Sequence, residues 1–258
     1  MATKNQVKWG AILSYAQMIL NVVIGLAYSR YMILLLGRSE YGLYQTVTST
    51  ISMLSVLNLG FNSGYIRYYA KYKQNGDRES VYRLNGLFLL IFAAIGLVAL
   101  FCGAFLTSHL QLVFDSGLTT EEYELARKLM ILLTINMGVS FPMSVFSTII
   151  SANERFVFLK LLGMVKTVVS PLVNIPLLLM GFRSVGLVVS SFVFSLITDI
   201  IYIYFVTVKL GNKFYFSGFE KGLFRSLFSY TIFIAVNLIV DQINNSIDKV
   251  LLGRFIGR

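Results

Sequence analysis

A single cysteine and a single histidine stand in 258 residues. Cys102 alone cannot close an internal disulfide, and His109 has no partner at metal-ligand spacing. Neither a metal nor a cofactor is expected. The chain contains no HExxH, no P-loop and no GxSxG, so the common hydrolytic and nucleotide chemistries have no anchor. Charge is also scarce. Charged residues make up 13% of the chain and apolar ones 56%, against roughly 25% and about 45–50% in soluble domains. The mean hydropathy is +0.73. A water-soluble fold has nowhere to hide that much apolar surface, whereas lipid accepts it.

What is present is a series of long apolar runs. Each crossing of a bilayer by a helix takes about 20 apolar residues. Seven spans are predicted, at 9–36, 43–66, 86–108, 129–151, 161–181, 186–208 and 227–252. The first run exceeds the about 7–15 residues of a signal-peptide core, so it reads as a span. Thr119 and Glu122 form a capping-box pattern ahead of the fourth span. The runs are continuously apolar rather than alternating, which excludes a β-barrel. The expected fold is an all-α polytopic transmembrane bundle.

Basic residues divide unevenly between the two sides. One side carries Lys4 and Lys8, then Arg67, Lys71, Lys73, Arg78 and Arg83, then Arg155 and Lys160, then Lys209, Lys213, Lys221 and Arg225. The other carries Arg38, Arg127, Lys128 and Arg183. That is thirteen against four, and the richer side is expected in the cytoplasm together with the N-terminus. The same asymmetry accounts for the net charge of +10 without nucleic acid as a partner.

All three prolines, Pro142, Pro171 and Pro176, fall inside predicted spans. Each removes a backbone hydrogen bond, which lipid tolerates only where neighbours satisfy the freed carbonyl. The fifth span, with Pro171, Asn174 and Pro176, is a candidate broken helix of the kind found at transporter binding sites; a packing kink is the other reading. A partial repeat joins the ends of the chain. Ser14-Tyr15 precedes Leu35-Leu36-Gly37-Arg38 as Ser229-Tyr230 precedes Leu251-Leu252-Gly253-Arg254, with one residue of slippage. Residues 1–226 are accordingly expected to form a first lobe of six spans, and 227–258 the start of a second. A chain that ends there is either part of a longer protein or a half-transporter that pairs with a second copy.

Polar residues recur at helical spacing inside three spans. The first has Ser14, Gln17, Asn21, Gly25 and Tyr28; the sixth has Ser191, Ser195, Asp199 and Tyr202; the seventh has Tyr230, Asn237, Asp241, Asn244 and Asp248. Such stripes face protein or water, either as a wet cavity or as hydrogen bonds between helices. A charge at mid-depth costs roughly 2.5–3.5 kcal/mol, which singles out Asp199 and Asp241. Lys166 is expected about a turn inside its span, Arg67 at the cytoplasmic end of the second, and Arg30 toward the outer end of the first, off that helix's polar stripe.

Two stretches carry a family resemblance. Leu36-Gly37-Arg38-Ser39-Glu40-Tyr41-Gly42-Leu43-Tyr44, with Leu57-Asn58-Leu59-Gly60 and Ile66-Arg67-Tyr68-Tyr69, resembles polysaccharide-export flippases of the multidrug/oligosaccharidyl-lipid/polysaccharide (MOP) superfamily. Ile247-Asp248-Lys249-Val250-Leu251-Leu252-Gly253-Arg254 is similar to the start of their second lobe. The resemblance implies 12 to 14 spans in two six-helix lobes around a cavity, of which this chain is about half. It implies flipping of an undecaprenyl-diphosphate-linked oligosaccharide across the cytoplasmic membrane for O-antigen- or capsule-type assembly. Membrane lipids, a glycan polymerase and assembly proteins are the expected partners.

Within that reading, Arg67, Lys166 and Arg30 form a path of positive charge for the lipid diphosphate, with Asn237 as a further polar contact. Asp199 and Asp241 couple transport to the proton gradient. The bland alternative is that the three cations only anchor helix ends. A multidrug exporter of the same superfamily is the runner-up, with Asp199 as its acidic site. A membrane-embedded transferase would need an interfacial carboxylate or histidine cluster, and none is found.

Overall fold

The computed structural model describes residues 2–58, 60–114 and 118–219, with positions 222 and 229. Most of the described residues are helical, and none is in a strand. In chain order they form α1 (Ala2–Leu36), α2 (Arg38–Met53), α3 (Phe61–Gln74), α4 (Arg78–Ser108), α5 (Thr120–Ala152), α6 (Phe156–Leu179) and α7 (Arg183–Tyr204). A π-helical turn, Phe205–Lys209, extends α7. Among the described residues, five helices are long and apolar enough to cross a membrane: α1, α4, α5, α6 and α7 with its extension. The expected seventh span, with Asn237 and Asp241, lies outside the described residues.

The remaining crossing departs from expectation. The span predicted at 43–66 is two helices, α2 and α3, joined by a 3-10 turn at Leu54–Asn58. Gly60 takes a left-handed backbone, φ 73°, which a residue with a Cβ adopts only at a cost, and so starts α3 on a new axis. By contrast, α6 runs unbroken through Pro171 and Pro176. The break is therefore at Leu54–Gly60, and the prolines sit inside a continuous helix. Gly60 thus serves as the helix start of α3.

Short connectors make successive crossings antiparallel, with α2 and α3 together forming one, and give the bundle two ends. The near end holds the N-terminus and the turns after α3, α5 and α7; the far end holds the other connectors. α5 is central, packing on α2, α3, α4 and α7. At its start the capping box forms as predicted: Glu122 N–H donates to the Thr119 hydroxyl at 3.3 Å, and Thr119 N–H to the Glu122 carboxylate at 3.0 Å. The near-end core is aromatic, built from Tyr65, Phe88 and Phe92 with Phe61 and Phe141 around them. Phe88 meets Tyr65 edge-on with centroids 5.0 Å apart. Leu43, Val47, Leu129 and Met130 fill the far-end core.

α1 packs chiefly against α6, and the two run parallel in constant register. Thr167 donates to Asn21 at 2.8 Å, across 146 residues. The same offset relates Gly10 to Phe156 and Gln17 to Gly163, each pair in direct contact, and Tyr28 to Asn174. The polar stripe of α1 is thus a seam between helices. Small or polar residues line it because backbones approach most closely there.

Candidate functional site

Lys166 and the polar stripe of α7 meet midway through the bundle. Lys166 stands ten residues into α6, about 15 Å from the near end at 1.5 Å per residue. Asp199 stands ten residues before the end of the α7 extension, at the same height. Lys166 is therefore deeper than a start at residue 161 implies, because α6 begins at Phe156.

The Lys166 ammonium donates to the Ser195 hydroxyl at 3.1 Å. Asp199, one helical turn beyond Ser195, shares an electrostatic environment with Lys166 and with Tyr202. Both charges are half-buried, and they are not in direct ion-pair contact. An aromatic floor lies below: Phe158 stacks on Phe205 with centroids 4.1 Å apart and meets Tyr202 edge-on. A cation and an anion thus lie near one another without an ion pair, the cation held by a hydroxyl. Together they form an ionisable centre within the bilayer's depth, where such groups are costly and generally functional.

Of the other predicted site residues, Asn237 and Asp241 lie outside the described residues, and Arg67 and Arg30 do not join this cluster. Arg67 is exposed on α3, which packs on α4 and α5. Arg30 is exposed on α1. The three cations stand on three helices, and only Lys166 lies against Asp199. Along the α1–α6 seam Tyr28 and Asn174 face one another, yet Tyr28 Oη and Asn174 Oδ1 are buried without completed hydrogen bonds.

Sequence reasoning missed the far-end clasp. Glu40, only 5% exposed, accepts from the N–H and hydroxyl of Ser184 and pairs with Arg183 at 2.5 Å. Its neighbour Ser39 donates to Glu122. The Ser39-Glu40 pair thus ties α2 to both α5 and α7. The only signal was membership in the family-like motif, which does not show what the residues touch.

The fold and the apolar helices define a multi-pass membrane protein of transporter architecture. The polysaccharide biosynthesis protein family matches over residues 7–258, and the chain belongs to it. No curated protein matches. Two solved structures share the fold at 16% identity. One is a MOP superfamily transporter from Pyrococcus furiosus, described as having a binding pocket of reversed polarity (TM-score 0.69, 91% of this chain, 52% of that one). The other is an outward-facing multidrug resistance transporter of the MATE family (TM-score 0.70, 95% and 55%). The chain spans about half the length of these transporters.

Proposed function

We propose that this chain belongs to a flippase that carries an undecaprenyl-diphosphate-linked oligosaccharide across the cytoplasmic membrane, for O-antigen- or capsule-type assembly. The family match over nearly the whole chain carries this reading. The Lys166–Ser195–Asp199 cluster supports it. A lipid diphosphate needs a cation within hydrocarbon depth, and a half-buried lysine held by a hydroxyl supplies one. Arg67, about 10 Å from the near end of α3, meets the head group first, and Arg30 serves toward the far side. The basic near end faces the cytoplasm. Asp199, beside Lys166, is the group whose protonation couples transport to the proton gradient.

The test is surface-polysaccharide export in a deletion strain carrying the native gene. Arg67→Ala and Lys166→Ala are each expected to abolish export at unchanged membrane abundance. Normal export by both variants sinks the proposal. A multidrug exporter is the second reading, favoured by the half-buried Asp199 carboxylate, a ready partner for organic cations. A drug-susceptibility panel on the same strain separates the two: sensitisation with intact polysaccharide supports the exporter.

A further inference from the structure

A polar cavity lies at the near end, where the turns after α3, α5 and α7 converge. It has a volume of about 510 Å³, and Tyr69, Lys73, Asp77, Arg78, Asn153 and Asn212 contribute to its lining. It is about 15 Å along α6 from Lys166, and nothing in the transport reading uses it.

Its acceptors are already engaged. The two Asp77 oxygens take the Ser80 N–H at 3.0 Å and the Ser80 hydroxyl at 2.6 Å. Asn153 Oδ1 accepts from the Tyr69 hydroxyl at 2.6 Å. Asn212 Oδ1 faces the Asn85 amide at 3.4 Å, which leaves the Asn212 N–H groups as donors.

Its cations, by contrast, have no carboxylate partner: among the described residues, neither Lys73 nor Arg78 is paired with one. Lys73 is nevertheless held in place: its ammonium lies 3.5 Å from Asn153 Oδ1 and 5.3 Å from the centroid of the Tyr69 ring. Two cations without carboxylate partners and the Asn212 N–H groups, beside a single carboxylate already held by Ser80, favour an anion with several oxygens.

We infer that this cavity binds the phosphate of an anionic phospholipid head group. Its position supplies the source: it opens at the end of a bundle of membrane helices, at the level where head groups lie. Arg78 suits a phosphate because its planar fork meets two oxygens at once. Lys73 adds a second charge without adding an acceptor. The inference does not rest on the glycan reading, because neither cation belongs to the proposed transport path.

Native mass spectrometry of the purified chain with added phosphatidylglycerol reads the site directly. A Lys or Arg beside an anionic head group is worth about fivefold in binding. Lys73→Gln with Arg78→Gln should therefore lose lipid retention by at least that factor. Asn212→Leu removes a donor at constant charge and should weaken retention too. Lys71→Gln with Lys160→Gln removes two basic residues that do not line the cavity and should retain the lipid. Equal loss in the control pair overturns the site in favour of diffuse attraction. Displacement of the lipid by an equal concentration of inorganic phosphate overturns the lipid source. Arg78 is exposed, so Arg78→Gln alone reads the site if the double variant does not fold, and full retention there counts against it.

Discussion

Glu40 on α2 and Ser184 on α7 are joined twice through one carboxylate oxygen, which accepts the Ser184 amide N–H at 2.9 Å and its hydroxyl at 2.6 Å. Glu40 thereby caps the first turn of α7 from another helix. It offsets an orphan N–H of a helix start and places a negative charge at the positive end of the dipole. Arg183 joins through the other oxygen but is 68% exposed.

That asymmetry predicts unequal costs. Glu40→Ala strands two buried donors and should destabilise the chain by roughly 1–3 kcal/mol. Arg183→Ala removes an exposed partner and leaves both Ser184 bonds to Glu40 in place, so it should cost less than Glu40→Ala. Thermal unfolding in detergent ranks the two. An equal or larger loss for Arg183→Ala contradicts the clasp as described.

The parallel register of α1 and α6 predicts a specific cross-link. A Cβ on Gly10 would lie 2.6 Å from Phe156 Cβ, against a mean of about 3.8 Å in disulfides, so a small parting of the helices suffices. In a Cys102→Ala background, Gly10→Cys with Phe156→Cys should oxidise readily. Gly10→Cys with Lys160→Cys, one turn further along, should not. Mobility on a non-reducing gel distinguishes them, and cross-linking of the second pair alone refutes the register.

Much of this architecture was legible before any coordinates. Five of the apolar runs became helices, because a continuous apolar stretch in lipid has few other ways to satisfy its backbone. The capping box at Thr119 formed because both halves of that motif are local. The break in the second crossing was misplaced. Proline is a visible breaker, yet α6 absorbs Pro171 and Pro176, while the actual break depends on a left-handed Gly60 that looks like any other glycine in a string. The α1 stripe was visible, but its partner was not: periodicity gives a face and never says which helix covers it. Asp199 stood out by its depth, and Lys166 as a cation for the lipid diphosphate. The Lys166–Ser195 hydrogen bond depends on the α6–α7 packing, which no spacing encodes.

Asp77 offers a pH-dependent prediction outside the membrane helices. Hydrogen bonds from the Ser80 hydroxyl and then the Ser80 N–H, with lesser help from Arg83, hold its carboxyl below the ordinary range. A group lowered in the folded state contributes stability above its unfolded value and loses it as pH falls through the folded one. Asp77→Ala should therefore unfold earlier than the parent at neutral pH. The gap should narrow as the medium is acidified through and below the carboxylate range. A gap that widens in acid contradicts the cap.

Gly96 on α4 faces a carbonyl that a proline has set free. Pro142 has no N–H, so the carbonyl of Gly138, four residues earlier in α5, loses its intrahelical donor. That oxygen lies 2.6 Å from where a Gly96 Cβ would stand, and Pro142 Cδ lies 3.3 Å from the same point. With no side chain there, α4 approaches closely enough for its Cα–H groups to meet the freed oxygen, a weak contact but a useful one where no water competes. Gly96→Ala should force the helices apart and cost roughly 1–3 kcal/mol. Gly138→Ala meets only the Leu100 side chain, which can turn aside, so it should cost less. Adding Pro142→Ala to Gly96→Ala returns an intrahelical donor to the carbonyl and draws it back toward its own helix, so part of the loss should be recovered. Thermal unfolding of the three variants tests this. If Pro142→Ala only adds to the damage, the freed carbonyl is not what makes Gly96 necessary.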